Sequence, residues 1–258
     1  MPAPLLVVAL TVAAVGLLPP AYVVWSAASL GPVEAWEFLA RPRVGELLWN
    51  TGRLLVGGVL LSTALGLAAA WLVERTDLPG RRWWHGVLCA PLAVPAFVNG
   101  YAWVSTTHAV QGYLGAVLVV SLSYYPFVYL PTVAALRRID PGLEEAAAAL
   151  GEPPHRVLRR VVLPVIAPAV LGGALLVGLH LLAEYGALQL LNYPTLTTAI
   201  LEQYGTAFNG PAATLLAGVL LLACLVLLTG EVGLRGRARR DRLDRGVARP
   251  PAPVALRR

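Results

Sequence analysis

The sequence predicts an all-α membrane protein of about six transmembrane helices, with a charged cytoplasmic loop between the fourth and fifth. Three observations carry this reading. Only 13% of the 258 residues are charged, 57% are hydrophobic and the mean hydropathy is +0.68, whereas an ordinary soluble domain carries roughly 25% charge. The apolar residues fall in long blocks instead of alternating. The arginines gather between alternate blocks, as short cytoplasmic loops require.

A helix needs about 20 apolar residues to cross the hydrocarbon core, and blocks at residues 5–29, 47–73, 86–104, 115–136, 165–183 and 212–230 come close to that. The first lacks a basic start and is too long for a signal peptide, so it reads as a retained span. The third holds Pro91 and Pro95 in "APLAVPAFVNG", which predicts a kinked or broken helix whose freed carbonyls are satisfied by neighbours. Arg75, Arg81 and Arg82 follow span 2; Arg137, Arg138, Arg156, Arg159 and Arg160 follow span 4; the run from Arg235 to Arg258 follows span 6. The opposite loops carry only Arg41 and Arg43, with Arg53 just inside span 2. Both termini are therefore expected in the cytoplasm. Residues 1–46 form the first span and an exported loop, 47–230 the remaining spans, and 231–258 an Arg/Pro-rich tail that reads as a flexible, membrane-proximal linker.

Composition also excludes functions. All 20 basic residues are arginine, so the chain has no lysine for a P-loop or a Schiff base. It binds no cofactor on this reading, and any ATP that drives it sits on another chain. Cys89 and Cys224 lie apart in apolar blocks and read as core thiols. The net charge of +6 belongs to the membrane surface and not to nucleic acid, because no aromatic-studded basic domain accompanies it.

The segment "EEAAAALGEPPHRVLRRVVLP" interrupts the apolar pattern between spans 4 and 5. Asp140 fits an N-cap, with Pro141 at the first helical position. Gly151 fits a left-handed C-terminus. A second helix starts at Pro153 and Pro154, with Val157, Leu158, Val161 and Val162 on one face and Arg156, Arg159 and Arg160 on the other; its expected place is the membrane surface, ending before Pro164. The methyl surface of residues 146–149, edged by Glu144 and Glu145, suits close approach by a partner. It equally suits an ordinary loop helix.

The pattern Glu145-Ala146-Ala147, three residues, Gly151, nine residues, Val161, one residue, Leu163-Pro164 resembles the EAA signature of permease subunits in binding-protein-dependent ABC importers, with Val161 where the family usually has Ile. The resemblance implies that residues 140–164 form a coupling helix docked on an ATP-binding subunit through Glu144, Glu145, Ala146, Ala147, Gly151, Leu163 and Pro164. It also implies a substrate-binding protein outside and a bacterial inner membrane around the chain. The stretches "NTGRLLVGGVLLSTALGLAAAWLVERTDLPGRRWW", "PLAVPAFVNGYAWVS", "SLSYYPFVYLP" and "LLAEYGALQLLNYPTLTTAILEQYGTAFNGPAAT" are similar to ferric-iron permeases of that superfamily, which usually join two six-span halves. The chain resembles the first half, so a second half, second copy or partner is expected.

Candidate pathway residues are the polar groups of span 5 and the following loop: His180, Glu184, Tyr185, Glu202 and Tyr204. Ferric iron favours carboxylate and phenolate oxygen. Alternatively, Glu184 and His180 hydrogen-bond each other at a span end and the tyrosines belong to the interfacial belt. His85, His108 and His155 read as interfacial, Asn99 and Gly100 as lining a cavity or relieving a bend, and no metal site has the expected ligand spacing. Thiamine, an oxyanion or a polyamine would suit the same architecture. An ion-coupled secondary transporter would need carboxylates at mid-membrane, and a membrane enzyme a His/Asp/Glu cluster; the sequence offers Glu184 alone, near a span end.

Overall fold

The computed structural model describes residues 3–29 and 31–243, and among these every regular element is helical. The helices are α1 (Ala3–Ser29), α2 (Pro32–Leu39), α3 (Pro42–Arg75), α4 (Arg81–Cys89), α5 (Ala96–Thr106), α6 (Gly112–Tyr124), α7 (Pro126–Leu136), α8 (Pro141–Ala149), α9 (Pro154–Val157), α10 (Leu163–Ala183), α11 (Gly186–Leu190), α12 (Leu196–Gly205) and α13 (Gly210–Leu243). Among the described residues four stretches, Leu6–Ser29, Pro42–Arg75, Pro154–Ala183 and Gly210–Gly233, are long and apolar enough to span alone, and the number is six when each of two bent pairs counts as one span.

The bends have local causes. Between the Arg81–Ala93 and Ala96–Thr106 segments the chain turns by 92°, where Val94 and Pro95 are extended. Pro91 and Pro95 make that break. Between α6 and α7 it turns by 41°, because Pro126 lacks an N–H and its ring crowds the Leu122 carbonyl one turn back.

The core is α3, α7 and α10 packed around this second bend. Lipid is as apolar as leucine, so helices associate here through close contact at small residues and interhelical hydrogen bonds. Gly66 of α3 and Gly173 of α10 close on the bend from two sides. A Cβ at Gly66 would stand 2.8 Å from the Tyr125 carbonyl oxygen, and one at Gly173 2.6 Å from that of Phe127. The Ser121 hydroxyl donates to the Gly58 carbonyl at 3.3 Å. A smaller cluster of Val44, Leu47, Leu196, Ala199 and Leu216 ties α12 and α13 to the start of α3, and α1 packs on α13 with the rest of its surface exposed.

Two expectations are corrected. The helix from Pro154 does not stop before Pro164: α9 passes through a π turn, Leu158–Val162, into α10 as one helix. The Leu163 N–H reaches the Leu158 carbonyl, a five-residue reach that widens the turn where Pro164 would otherwise crowd the Arg160 carbonyl. Its amphipathic pattern stands, with Val157 and Val162 buried and Arg156, Arg159 and Arg160 exposed. In the tail, α13 continues to Leu243. The first half of the expected linker is thus helical, since its Arg, Leu and Ala residues all favour helix. Residues 244–258 lie outside the described residues.

Candidate functional site

Two places collect the chemistry. The first is the loop around α8. The Asp140 carboxylate accepts from the Gly142 N–H at 2.9 Å and its carbonyl accepts from the Leu143 N–H at 3.1 Å, which starts the helix. At the other end Gly151 sits at φ +79°, while the Leu150 and Glu152 N–H groups donate to the Ala146 and Ala147 carbonyls at 3.2 Å each. This is the left-handed helix stop that glycine adopts without strain. Glu152 then holds Arg156 and Arg160 at 3.1 and 3.0 Å.

The two faces of α8 differ. Glu144 turns inward and takes a two-pronged bond from Arg75, at 2.7 and 3.2 Å. Beside it Glu74 takes Arg137 at 2.7 and 3.0 Å, so the last turn of α3 grips both α7 and α8. Leu143, 53% exposed, and Leu150, 85% exposed, flank the exposed Ala146 on the outer face, at the i, i+3, i+7 spacing of one helical stripe. Glu145 is exposed. Leu163 and Pro164 lie away from this stripe, at the join to α10. The sequence drew attention to the alanines and missed Leu143, Leu150 and Arg75. The leucine spacing was readable, but the Arg75 contact, 69 residues away, was not.

The second place is where α10 ends. Glu184 leaves the helix with ψ +126°, and its carboxylate is held twice: Tyr124 donates its hydroxyl to Oε2, and the Ala187 N–H donates to Oε1 at 2.9 Å. Tyr124 is the midpoint of the Gly112–Leu136 pair. Glu184 thus follows directly on the end of the Pro154–Ala183 span, as its sequence position suggests, and it meets the middle of the bent Gly112–Leu136 pair where the chain continues as the short α11 against α5. His180 does not bond Glu184. Its Nδ1–H donates to the Leu176 carbonyl at 2.8 Å, and its ring lies 4.4 Å from Phe127 and 5.5 Å from Tyr124. A cavity of about 370 Å³ opens here, lined among others by Pro95, Phe97, Ser123, Tyr124, His180 and Glu184. Asn99 donates to Ser123 at 2.9 Å beside it.

Tyr185 and Glu202 face a different cavity of about 420 Å³, between α11 and α12. Tyr204, 70% exposed, borders neither. The five pathway candidates are therefore divided: His180 with Glu184, Tyr185 with Glu202, and Tyr204 apart. Tyr124 was missed. Its signal was a polar residue two positions before Pro126 in "SLSYYPFVYLP", but nothing in the sequence pairs it with Glu184. Among the described residues no three His, Cys, Asp or Glu side chains gather as a metal site.

Comparison with known proteins gives residues 62–232 as a match to the binding-protein-dependent transport system inner membrane component family. The Fe(3+)-transport system permease protein FbpB 2 of Haemophilus influenzae is 38% identical over 233 residues, which are 90% of this chain and 46% of that protein; the chain thus spans about half of that relative. The sulfate transport system permease protein CysT of Escherichia coli is 27% identical over 242 residues, 86% of this chain and 87% of that one. In fold, a MetNI methionine ABC transporter chain in an inward-facing conformation matches with TM-score 0.65 at 19% identity, over 77% of this chain and 99% of that chain. A bacterial alginate ABC transporter chain, crystallised with an alginate pentasaccharide-bound periplasmic protein, matches with TM-score 0.67 at 14% identity, over 88% and 92%.

Proposed function

The chain belongs to the binding-protein-dependent transport system inner membrane component family, and on that premise we propose that it is the membrane-spanning subunit of an ATP-driven importer whose cargo is ferric iron. The observation that carries the iron reading is the 38% identity to a Fe(3+) permease over nine-tenths of the chain. The chemistry of the span break supports it. A carboxylate and a phenol meet where α10 ends, beside the middle of the bent Gly112–Leu136 pair, and hard cations are taken by oxygen ligands. Discontinuous spans with polar groups at mid-depth are where transported solutes bind. The set is sparse, which suits an ion that must leave again.

Sulfate is the second reading, since the sulfate permease matches over 87% of its own length. The charge at the break speaks against it, because the Glu184 carboxylate repels an anion.

In this proposal α8 is the knob that docks on a separate ATP-binding subunit, with the Leu143–Ala146–Leu150 stripe as the contact and Gly151 setting where the helix ends. The Arg75–Glu144 and Arg137–Glu74 pairs transmit its movement into α3 and α7. A second permease half or copy supplies the second knob, a binding protein delivers cargo from outside, and the arginine-rich face and both termini lie in the cytoplasm.

The test is uptake by cells carrying the complete transporter. Ferric iron uptake should require ATP and the binding protein. Glu184→Gln keeps the size and removes the charge; it should lower uptake about tenfold, the loss of one hydrogen bond to a charged group, at unchanged membrane abundance. Sulfate uptake without iron uptake would end the iron assignment and leave the family standing.

A further inference from the structure

At the end of α3 a third cavity, about 290 Å³ and basic, is lined by Val73, Glu74, Arg81, Arg82, His85 and Arg137. Glu74 and Arg137 neutralise each other. Arg81 and Arg82 are exposed and make no ion pair among the described residues. His85 has Nδ1 2.7 Å from the Tyr129 hydroxyl, so its Nε2 is not used by that contact. The cavity therefore carries an uncompensated positive charge.

Its rim is aromatic. Trp83, 65% exposed, and Trp84, 39% exposed, follow directly and stack edge to face at 5.1 Å, while Leu88 and Cys89 at the end of α4 pack against the core cluster that holds Tyr129 and Leu136. Exposed tryptophans beside arginines at the end of a span mark the level where headgroups meet acyl chains.

We propose that this cavity binds the headgroup of an anionic phospholipid. The Arg81 and Arg82 guanidinium groups fork onto the phosphodiester oxygens, a geometry that arginine matches and a point charge does not. Trp83 and Trp84 lie along the first carbons of the acyl chains. The site needs only the membrane placement of the chain, so it stands or falls separately from the iron reading.

The full chain, purified in detergent with any subunits that accompany it, is titrated with phosphatidylglycerol, phosphatidylcholine and inorganic phosphate, and bound lipid is counted by native mass spectrometry. Phosphatidylglycerol should bind in preference to phosphatidylcholine. Arg81→Gln with Arg82→Gln should weaken it about 25-fold, at the attraction expected for two arginines at an anionic surface. Arg138→Gln with Arg159→Gln, which removes the same charge from the same face, should leave it unchanged. Trp83→Ala, which alters no charge, should weaken the lipid but not inorganic phosphate. Wild-type binding by the Arg81/Arg82 variant, an equal loss in the Arg138/Arg159 variant, or inorganic phosphate binding as tightly as the lipid would each overturn the proposal.

Discussion

Replacing Gly151 separates the backbone from the side chain in the proposed docking loop. At φ +79° an L-residue pays for its Cβ, yet a Cβ built there has nothing within 4 Å. Crowding is thus removed from the problem, and only the left-handed conformation costs energy. Alanine should cost about 1 kcal/mol and valine about 2 kcal/mol, because branching at Cβ adds to the clash with the following carbonyl. Asparagine visits this region readily and should cost little. At about 1.4 kcal/mol per tenfold, the loop end should hold its position about fivefold less often with Ala and about thirtyfold less often with Val. Uptake and ATP hydrolysis measured together in proteoliposomes should fall out of step in that order, with Asn close to wild type and membrane abundance constant. If Val supported wild-type uptake, the docking account of the loop would be wrong; if Asn were as damaging as Val, the φ argument would be.

Arg75→Ala or Glu144→Ala should each reduce coupling, with an interaction energy of about 0.5–1 kcal/mol in a double-mutant cycle, as expected for a partly exposed pair; the exchanged pair Arg75→Glu with Glu144→Arg should recover most of it, and no recovery would mean that the residues act separately. Gly173→Val drives a Cβ to 2.6 Å from the Phe127 carbonyl oxygen, which should cost about 1–3 kcal/mol and lower the melting temperature by roughly 5 °C; an unchanged thermal transition in detergent would refute the tight bracket around Pro126. Single cysteines at Arg156 and Gln111, with Cys89 and Cys224 replaced, should react with an impermeant reagent in intact cells only at Gln111, and labelling at Arg156 would invert the proposed orientation.

Features set by short-range rules were legible in the sequence. Asp140 and Pro141 start α8, Gly151 ends it, and Pro91 and Pro95 break the third span, each because one residue's own geometry decides the outcome. Contacts that cross the sequence were not. Tyr124 meets Glu184 and Arg75 meets Glu144 only after the helices pack. Pro164 illustrates a local rule overridden, since a widened π turn lets the helix pass a residue that usually begins or ends one. The partner of Glu184 was lost for a related reason: the length of the apolar block places the end of α10, but not the helix it stops beside.

Glu74 and Arg75 are neighbours at the end of α3, yet each holds a partner of opposite sign, Arg137 on one side and Glu144 on the other. Four charges alternate around one helix end and sum to zero. A voltage across the membrane therefore finds no net charge to pull on these four groups. In the proposed docking role the arrangement transmits displacement. On that proposal a tilt of α8 pulls on the Arg75–Glu144 fork, and because Glu74 is the very next residue, α3 carries the pull to Arg137 at the end of α7.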